Sequence, residues 1–274
     1  MLEKITYKNH INETLDFGTF PMFVNANDLH DFAWQITSKN DKIFTFQKGI
    51  VTKTMPIIIK CNSGEEGIEV RNRIFEVAEK DVLAQQHGRL YIGNYYLKCY
   101  ITGSTKTNYL IDKNYMQLSL TVQTDYPEWI KETKLPYSQL DDETAAYLDF
   151  PFGCSFDYAN ELLNGIIENT NFVASNFRLT IHGQISSPTL YISGHEYSVD
   201  VDVADDEYLT IDSVAKTIVL TKINGEQVNC FNKRNRDSYI FEKIPAGTNA
   251  FSSPNESIYF DITLLDERSE PKWT

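Results

Sequence analysis

Residues 89–101 read RLYIGNYYLKCYI, and residues 116–124 read MQLSLTVQT. In the first stretch Gly93-Asn94 separates two apolar and aromatic runs. Both residue types tolerate positive φ, so 89–92 and 95–101 form the arms of a β-hairpin in this reading. In the second, Leu118, Leu120 and Val122 alternate with Gln117, Ser119, Thr121 and Gln123, the period of a strand with one face in a core. A sheet is therefore fixed near the middle of the chain, and the flanking sequence is read outward from it.

Just upstream the period changes. Ser63 and Glu66 stand three apart like a capping box, and Ile68, Ile74, Phe75, Ala78, Val82 and Leu83 recur near helical spacing. This predicts one amphipathic helix over about 65–86, with Gly88 at the place of a left-handed C-terminal cap. From Leu2 to Lys60 the segments ITY, TFPMFVNA, FAWQI, KIFTF and MPIIIK read as short strands separated by Asn, Asp, Gly and Lys clusters.

Between Pro127 and Gly165 the periodicity fails, and Pro136, Pro151 and the acidic run Asp141-Asp142-Glu143 gather there. Beyond it, strands are expected at 176–181, 189–192, 196–203, 207–211, 217–221, 226–229, 239–244 and 257–265, a spacing that reads as a β-sandwich or jelly roll. The fold class is thus mainly β with one helix. Residues 1–140 are expected to form a sandwich-like sheet domain, and 141–274 a second, all-β domain.

The chain has 274 residues, enough for two domains, and its 42% hydrophobic content can build a core in each. A formal charge of −13 repels phosphate backbones and anionic lipid alike, so neither nucleic acid nor membrane is an expected partner. The one basic cluster, Lys233, Arg234 and Arg236, lacks the interleaved aromatics of a single-strand groove. The opening MLEKITYKNHINETLDFG has no apolar run after its first charges, and no segment is long and apolar enough for a membrane span. A soluble protein without an export signal is expected. Cys61, Cys99, Cys154 and Cys230 are widely spaced with no CxxC, which fits reduced thiols and gives no support to zinc.

Motifs for chemistry fail one by one. Counting a calcium loop from Asp200 places Asp205 where glycine is needed and Ile211 where the terminal glutamate is needed. Asp200, Asp202, Asp205, Asp206 and Glu207 are read instead as a solvated edge, with Val199, Val201 and Val203 facing a core. His10, His30, His87, His182 and His195 show no ligand spacing, and GxSxG, GxGxxG and GxxxxGK[ST] are absent. Two convergent carboxylates, as in a glycosidase, remain open among 38 acids. No catalytic, cofactor-binding or metal-binding residue is assigned, and no enzyme is expected. Trp34, Trp129 and Trp273 and the many Tyr and Phe are read mainly as core, with stacking on sugar as the other use.

The order of these segments resembles the distal tail proteins, Dit, of long-tailed phages of Gram-positive bacteria. The resemblance runs over essentially the whole chain. It is carried by LHDFAWQITSKNDKIFTFQKG (29–49), RLYIGNYYLKCYITGS (89–104), MQLSLTVQTDYPEWI (116–130), DFPFGCSFDY (149–158), SGHEYSVDV (193–201), EYLTID (207–212), IPAGTN (244–249) and ERSEPKW (267–273). It implies a structural, non-enzymatic virion protein at the tail tip. The first domain would form a hexameric ring, and the second a galectin-like jelly roll projecting from it. The implied partners are copies of the chain itself, the major tail tube protein, the tail-associated tip protein and receptor-binding proteins, with assembly in the bacterial host cytoplasm. The alternative is a carbohydrate-binding adhesion module for host-wall glycan.

Overall fold

The computed structural model describes residues 4–112, 114–137, 163–255 and 258–273. They divide into two compact units, Met1–Lys131 together with Glu267–Thr274, and Glu132–Asp266. The chain leaves the first unit inside one strand and returns inside another, so no change in composition marks either crossing.

The first unit contains β1 (Ile5–Lys8), β2 (Thr14–Asp16), β3 (Gly18–Thr19), β4 (Met22–Val24), β5 (Gln35–Lys39), β6 (Lys42–Gln47), β7 (Val51–Lys60), the helix α1 (Gly64–Ala84), β8 (Gly88–Ile92), β9 (Tyr95–Asp112), β10 (Tyr115–Thr124) and the start of β11 (Trp129–Tyr137). The expected hairpin is β8 and β9, closed at Ile92↔Tyr95 with Gly93 at φ +56. β9 serves two ladders in succession: Tyr95 to Cys99 pair with β8, and the strand from Tyr100 onward pairs with β10. One ladder continues through β1 to β2, the other through β7 and β4 to β3, all antiparallel. β10 is buried at every second residue, and β7 buries Lys53, Met55, Ile57 and Ile59 in the same period.

Helix α1 begins at the capping box. Ser63 Oγ accepts from Glu66 N at 3.2 Å, while the Glu66 carboxylate accepts from Asn62 N, one residue ahead of the cap. Two expectations for this helix are corrected. The left-handed C-cap is Gln85, at φ 53, whose N–H turns back to the Asp81 and Val82 carbonyls; Gly88 lies in β8. The buried face is Ile74, Val77, Ala78 and Asp81, while Ile68, Phe75, Val82 and Leu83 stay exposed. A buried acid at Asp81 explains the misreading, since it breaks the apolar period on the face that packs. Burying Ile74 and Val77 contributes about 1.5–3 kcal/mol each.

The second unit contains the rest of β11, then β12 (Leu163–Asn169), β13 (Asn176–His182), β14 (Ile185–Ser186), β15 (Thr189–Ile192), β16 (His195–Ser198), β17 (Asp202–Val203), β18 (Tyr208–Asp212), β19 (Thr217–Thr221), β20 (Gln227–Asn229), β21 (Gly247–Ser253) and most of β22 (Tyr259–Arg268). One sheet runs β20-β19-β18-β13-β22 and another β12-β21-β15-β16. Phe177, Leu179, Ile211 and Ile262 of the first share a core with Ile167, Leu190, Tyr197 and Phe251 of the second, which makes this unit a sandwich. Among the described residues the mainly β expectation with a single long helix is met.

Several segment boundaries differ. Residues 239–244 are not a strand: Ile240, Phe241 and Ile244 are buried, but only a single bridge to Ser175 forms, and Pro245 removes the next ladder donor. Residues 196–203 break into β16 and β17, because Asp200 N turns to the Lys233 carbonyl. β21, sequence GTNAFSS, has no apolar alternation, yet it pairs along all of β12. β11 and the start of β12 fall inside 127–165, where the sequence loses its period; residues 138–162 lie outside the described residues.

Candidate functional site

The hairpin β5–β6 forms a two-stranded sheet of its own, and its strands pair at Gln35↔Gln47, Ile36↔Phe46, Thr37↔Thr45, Ser38↔Ile43 and Lys39↔Lys42, with a bulge at Phe44. Cross-strand partners share a face. One face therefore carries Ile36, Phe46 and Ile43, extended by Trp34, whose ring meets that of Phe46 edge-on at 6.4 Å. The other carries Gln35, Gln47, Thr37, Thr45, Lys39 and Lys42. The ribbon is amphipathic, and its apolar face is open: Ile36 and Phe46 are each 58% exposed and the bulged Phe44 73%.

The base of this ribbon is tied down. Lys53 is buried, and its ammonium donates to the carbonyls of Asp28 and Asp31 at 3.0 and 2.6 Å, while Asp28 Oδ1 accepts from Thr54 N. Burial pushes the Lys53 pKa down, against the pull of Asp28 and Asp31. On the exit side Lys48 reaches Glu128 at 2.7 Å and Ser269 Oγ at 2.8 Å, and its ammonium lies 4.3 Å from the Trp34 ring centre. Trp273 of the terminal ERSEPKW segment stacks on His30 at 4.0 Å. Both chain segments entering the hairpin are thus anchored to the first unit.

A second structured cluster lies under the end of α1. The carboxylate of Asp81, fully buried, accepts from Tyr7 Oη at 2.5 Å and from His10 N at 2.9 Å, and contacts His10 Nδ1 at 2.5 Å. Burial first, then Cys99 and Asp81, holds the Tyr7 phenol far above its ordinary pKa; burial does the same to the Cys99 thiol. Gly88 completes the cluster, since a Cβ there would come closer than 3 Å to both Tyr7 and Asp81. The cluster pins helix to sheet and offers no open cleft. Nothing in the sequence spacing of Tyr7, His10 and Asp81 announced it.

The residues weighed for chemistry are dispersed. His87 pairs with Asp125 at 2.9 Å, His182 with Asp261 at 3.2 Å, and His195 with the Tyr239 carbonyl at 3.0 Å. Among the described residues no three His, Cys, Asp or Glu side chains gather as metal ligands would. Asp200 and Asp202 are exposed and accept from Ser187 and Ser186, and Glu207 accepts from Ala204 N at 3.2 Å. Val199 and Val203 are buried beside them. Arg234 folds over Phe231 at 3.9 Å and donates to its carbonyl. Cys61, Cys99 and Cys230 are buried free thiols; Cys154 lies outside the described residues. No described helix is long and apolar enough to cross a membrane.

This two-unit, mainly β chain has the fold of several solved phage proteins. The similarity extends over whole chains. The crystal structure of SPP1 Dit superposes with a TM-score of 0.60 at 8% identity, covering 96% of this chain and 99% of that one. That protein is described as a paradigm of the hub adsorption apparatus in phages infecting Gram-positive bacteria. A chain of the phage P2 baseplate in its activated conformation with Ca gives 0.61 at 12% identity, covering 99% and 100%. A chain of the phage p2 baseplate in its activated conformation with Sr gives 0.60 at 13% identity, covering 96% and 98%. No protein-family model matches the sequence, and no curated protein does. The fold is that of Dit, as the sequence resemblance leads one to expect.

Proposed function

We propose that this protein is a structural subunit of a phage tail tip, a Dit-type hub that assembles with copies of itself into a ring. The observation that carries this reading is the β5–β6 ribbon. Five exposed apolar side chains on an anchored hairpin, Trp34, Ile36, Ile43, Phe44 and Phe46, are an unusual cost in a monomer, and a second copy that covers them removes that cost. The whole-length likeness to SPP1 Dit and to the p2 baseplate chains supports the same reading. In it, the first unit forms the ring, six copies close it, one face meets the tail tube and the other the tip protein, and receptor-binding proteins attach at the rim. No catalytic step is assigned to any residue.

Light scattering over a range of concentrations, with negative-stain images, tests the proposal. Closed rings or smaller assembly intermediates are expected, because a heterologous contact with a closing rotation gives a ring. Monomer at every concentration overturns it. Ile43→Glu with Phe46→Glu should hold the chain monomeric with its strand content unchanged by circular dichroism, because both side chains are already exposed.

A second reading, glycan binding, draws on the outer face of the second unit. Tyr208, His182 and Tyr259 lie side by side across β18, β13 and β22, all exposed, with His182 and Tyr208 rings 6.3 Å apart. Titration with host-wall polysaccharide tests it, since stacking of sugar on tyrosine would quench emission. No quenching at millimolar saccharide rejects it.

A further inference from the structure

Strands β1, β8 and β9 lie side by side, and in their register Lys8 pairs with Arg89 and Arg89 with Lys98. Cross-strand partners share a face, and like charges set directly opposite each other destabilise a sheet. Among the described residues Lys8 makes no ion pair. Arg89 rests over the Tyr96 ring at 4.7 Å, and Lys98 over that of Tyr126 at 5.7 Å. A rung of three cations stands out in a chain with 38 acidic residues against 25 Lys and Arg.

A polar cavity of about 260 Å³ opens at the Lys8–Arg89 end of this rung. His10, His87 and the amides of Asn12 and Gln86 also border it, and no Asp or Glu does. The acids that touch its histidines are already engaged. Asp81, buried, takes His10 Nδ1 at 2.5 Å and His10 N at 2.9 Å, and Asp125 takes His87 Nε2 at 2.9 Å. With Nδ1 of His10 committed, Nε2 is the ring atom left for a ligand. The turn that carries His10 is set in advance, since Asn9 Oδ1 accepts from Glu13 N at 2.8 Å and Asn12 N donates to the Asn9 carbonyl at 3.0 Å. Such preorganisation reduces the ordering loss on binding.

We propose that this cavity binds a phosphate-type oxyanion between Lys8, Arg89 and His10. The inference stands apart from the assembly reading, because it needs only one chain. A concave site focuses the field of the groups that line it, so a cationic cavity draws an anion even where the formal charge of the whole chain is −13. Size selects a small group: sites for drug-sized ligands enclose roughly 300–1,000 Å³, and this one lies below that range. Donor number selects phosphate over carboxylate. An ammonium, a guanidinium, imidazole and two amides surround the cavity, and a phosphate ester presents them with three acceptor oxygens where a carboxylate presents two. Tyr91, half-buried at the border with its ring 5.7 Å from that of Tyr96, leaves an aromatic shoulder for whatever the phosphate is joined to.

The test titrates the full-length chain with inorganic phosphate in a calorimeter, at fixed pH and low, constant ionic strength, with acetate as the control anion. Saturable binding of one phosphate per chain, tighter than acetate, is expected, and the melting temperature should rise with phosphate concentration. Lys8→Ala and Arg89→Ala should each weaken binding by about tenfold or more, the share of one charge-assisted hydrogen bond. Lys233→Ala, which removes an exposed cation of the second unit, should change nothing. Without phosphate, Lys8→Ala should melt no lower than wild type, because it removes one of two facing like charges. Glycerol 3-phosphate and glycerophosphoglycerol separate the sources: esters that bind no better than phosphate assign a free ion, and a tighter ester assigns a phosphorylated or phosphodiester-linked molecule. If none of the three binds more tightly than acetate, or if Lys8→Ala and Arg89→Ala leave binding intact, there is no oxyanion site here.

Discussion

Replacing Gly88 by alanine should be among the most damaging single changes in the first unit, although it adds one methyl group. The new Cβ would sit closer than 3 Å to Tyr7 and to Asp81 Oδ2. Neither can retreat: Tyr7 is fully buried in the core, and Asp81, also buried, is held by Tyr7 and by His10. Overpacking in a tight core costs about 1–3 kcal/mol, and losing a hydrogen bond to a buried carboxylate adds roughly 1.5–3 kcal/mol. The expected loss is therefore about 3–5 kcal/mol. For a unit of roughly 140 residues at about 2.1 cal/mol/K per residue, each kcal/mol lowers the melting temperature by roughly 3–4 °C. Scanning calorimetry should show the first unit melting about 10–15 °C lower. The double variant Tyr7→Leu/Gly88→Ala should lose less than the two single losses combined, because removing the outer ring atoms frees the space that the methyl needs. A Gly88→Ala protein melting within about 3 °C of wild type, or strict additivity in the double variant, would refute the close-approach account.

Alkaline pH should unfold the protein early. Burial raises the pKa of Cys99 above its ordinary 9.0 and those of Tyr7 and Tyr197 above 10.0, so the folded state keeps protons that the unfolded state releases. Their stabilisation is complete below about pH 9 and falls as pH rises, by up to about 1.4 kcal/mol per pH unit for each group; denaturant midpoints that stay flat from pH 8 to 11 would contradict this. Cleavage at a protease site engineered at 141–143 should give two fragments that stay together in gel filtration, because the last eight residues, with Trp273 stacked on His30, belong to the first unit; separation under native conditions would count against it. Chelation of divalent ions should leave the melting temperature unchanged, since a bound ion specific for the folded state would raise it by mass action; a drop restored by one ion would place a metal site in the molecule.

Local periodicity carried most of the fold. β10, the β8–β9 turn and the Ser63 cap follow from spacing alone, and each is found where the spacing puts it. The misread positions share one physical cause, a partner distant in sequence. Glycine just after a helix usually caps it, yet the role of Gly88 is set by Tyr7, far upstream. Asp81 looks like surface until Tyr7 and His10 are brought to it. β21 is a strand because β12 offers it a complete ladder, and its own sequence carries no apolar signal.

The β5–β6 segment inverts that relation. KIFTF and WQI carry the apolar period of a buried strand, and they do form strands, yet their apolar face meets solvent. The exposed line Ile68, Phe75, Val82 on α1 has the same character: helical periodicity without cover. Apolar period encodes a need for burial and does not say which chain supplies it. Inside the first unit Ile74 and Val77 meet that need for the helix, and Ile57 and Ile59 for the sheet, while the surplus on the ribbon and on the outer flank of α1 stays open among the described residues. Two such open apolar surfaces on one chain fit a subunit that packs against copies of itself. A monomeric adhesin needs neither, and that difference is why the assembly reading ranks ahead of the glycan reading here.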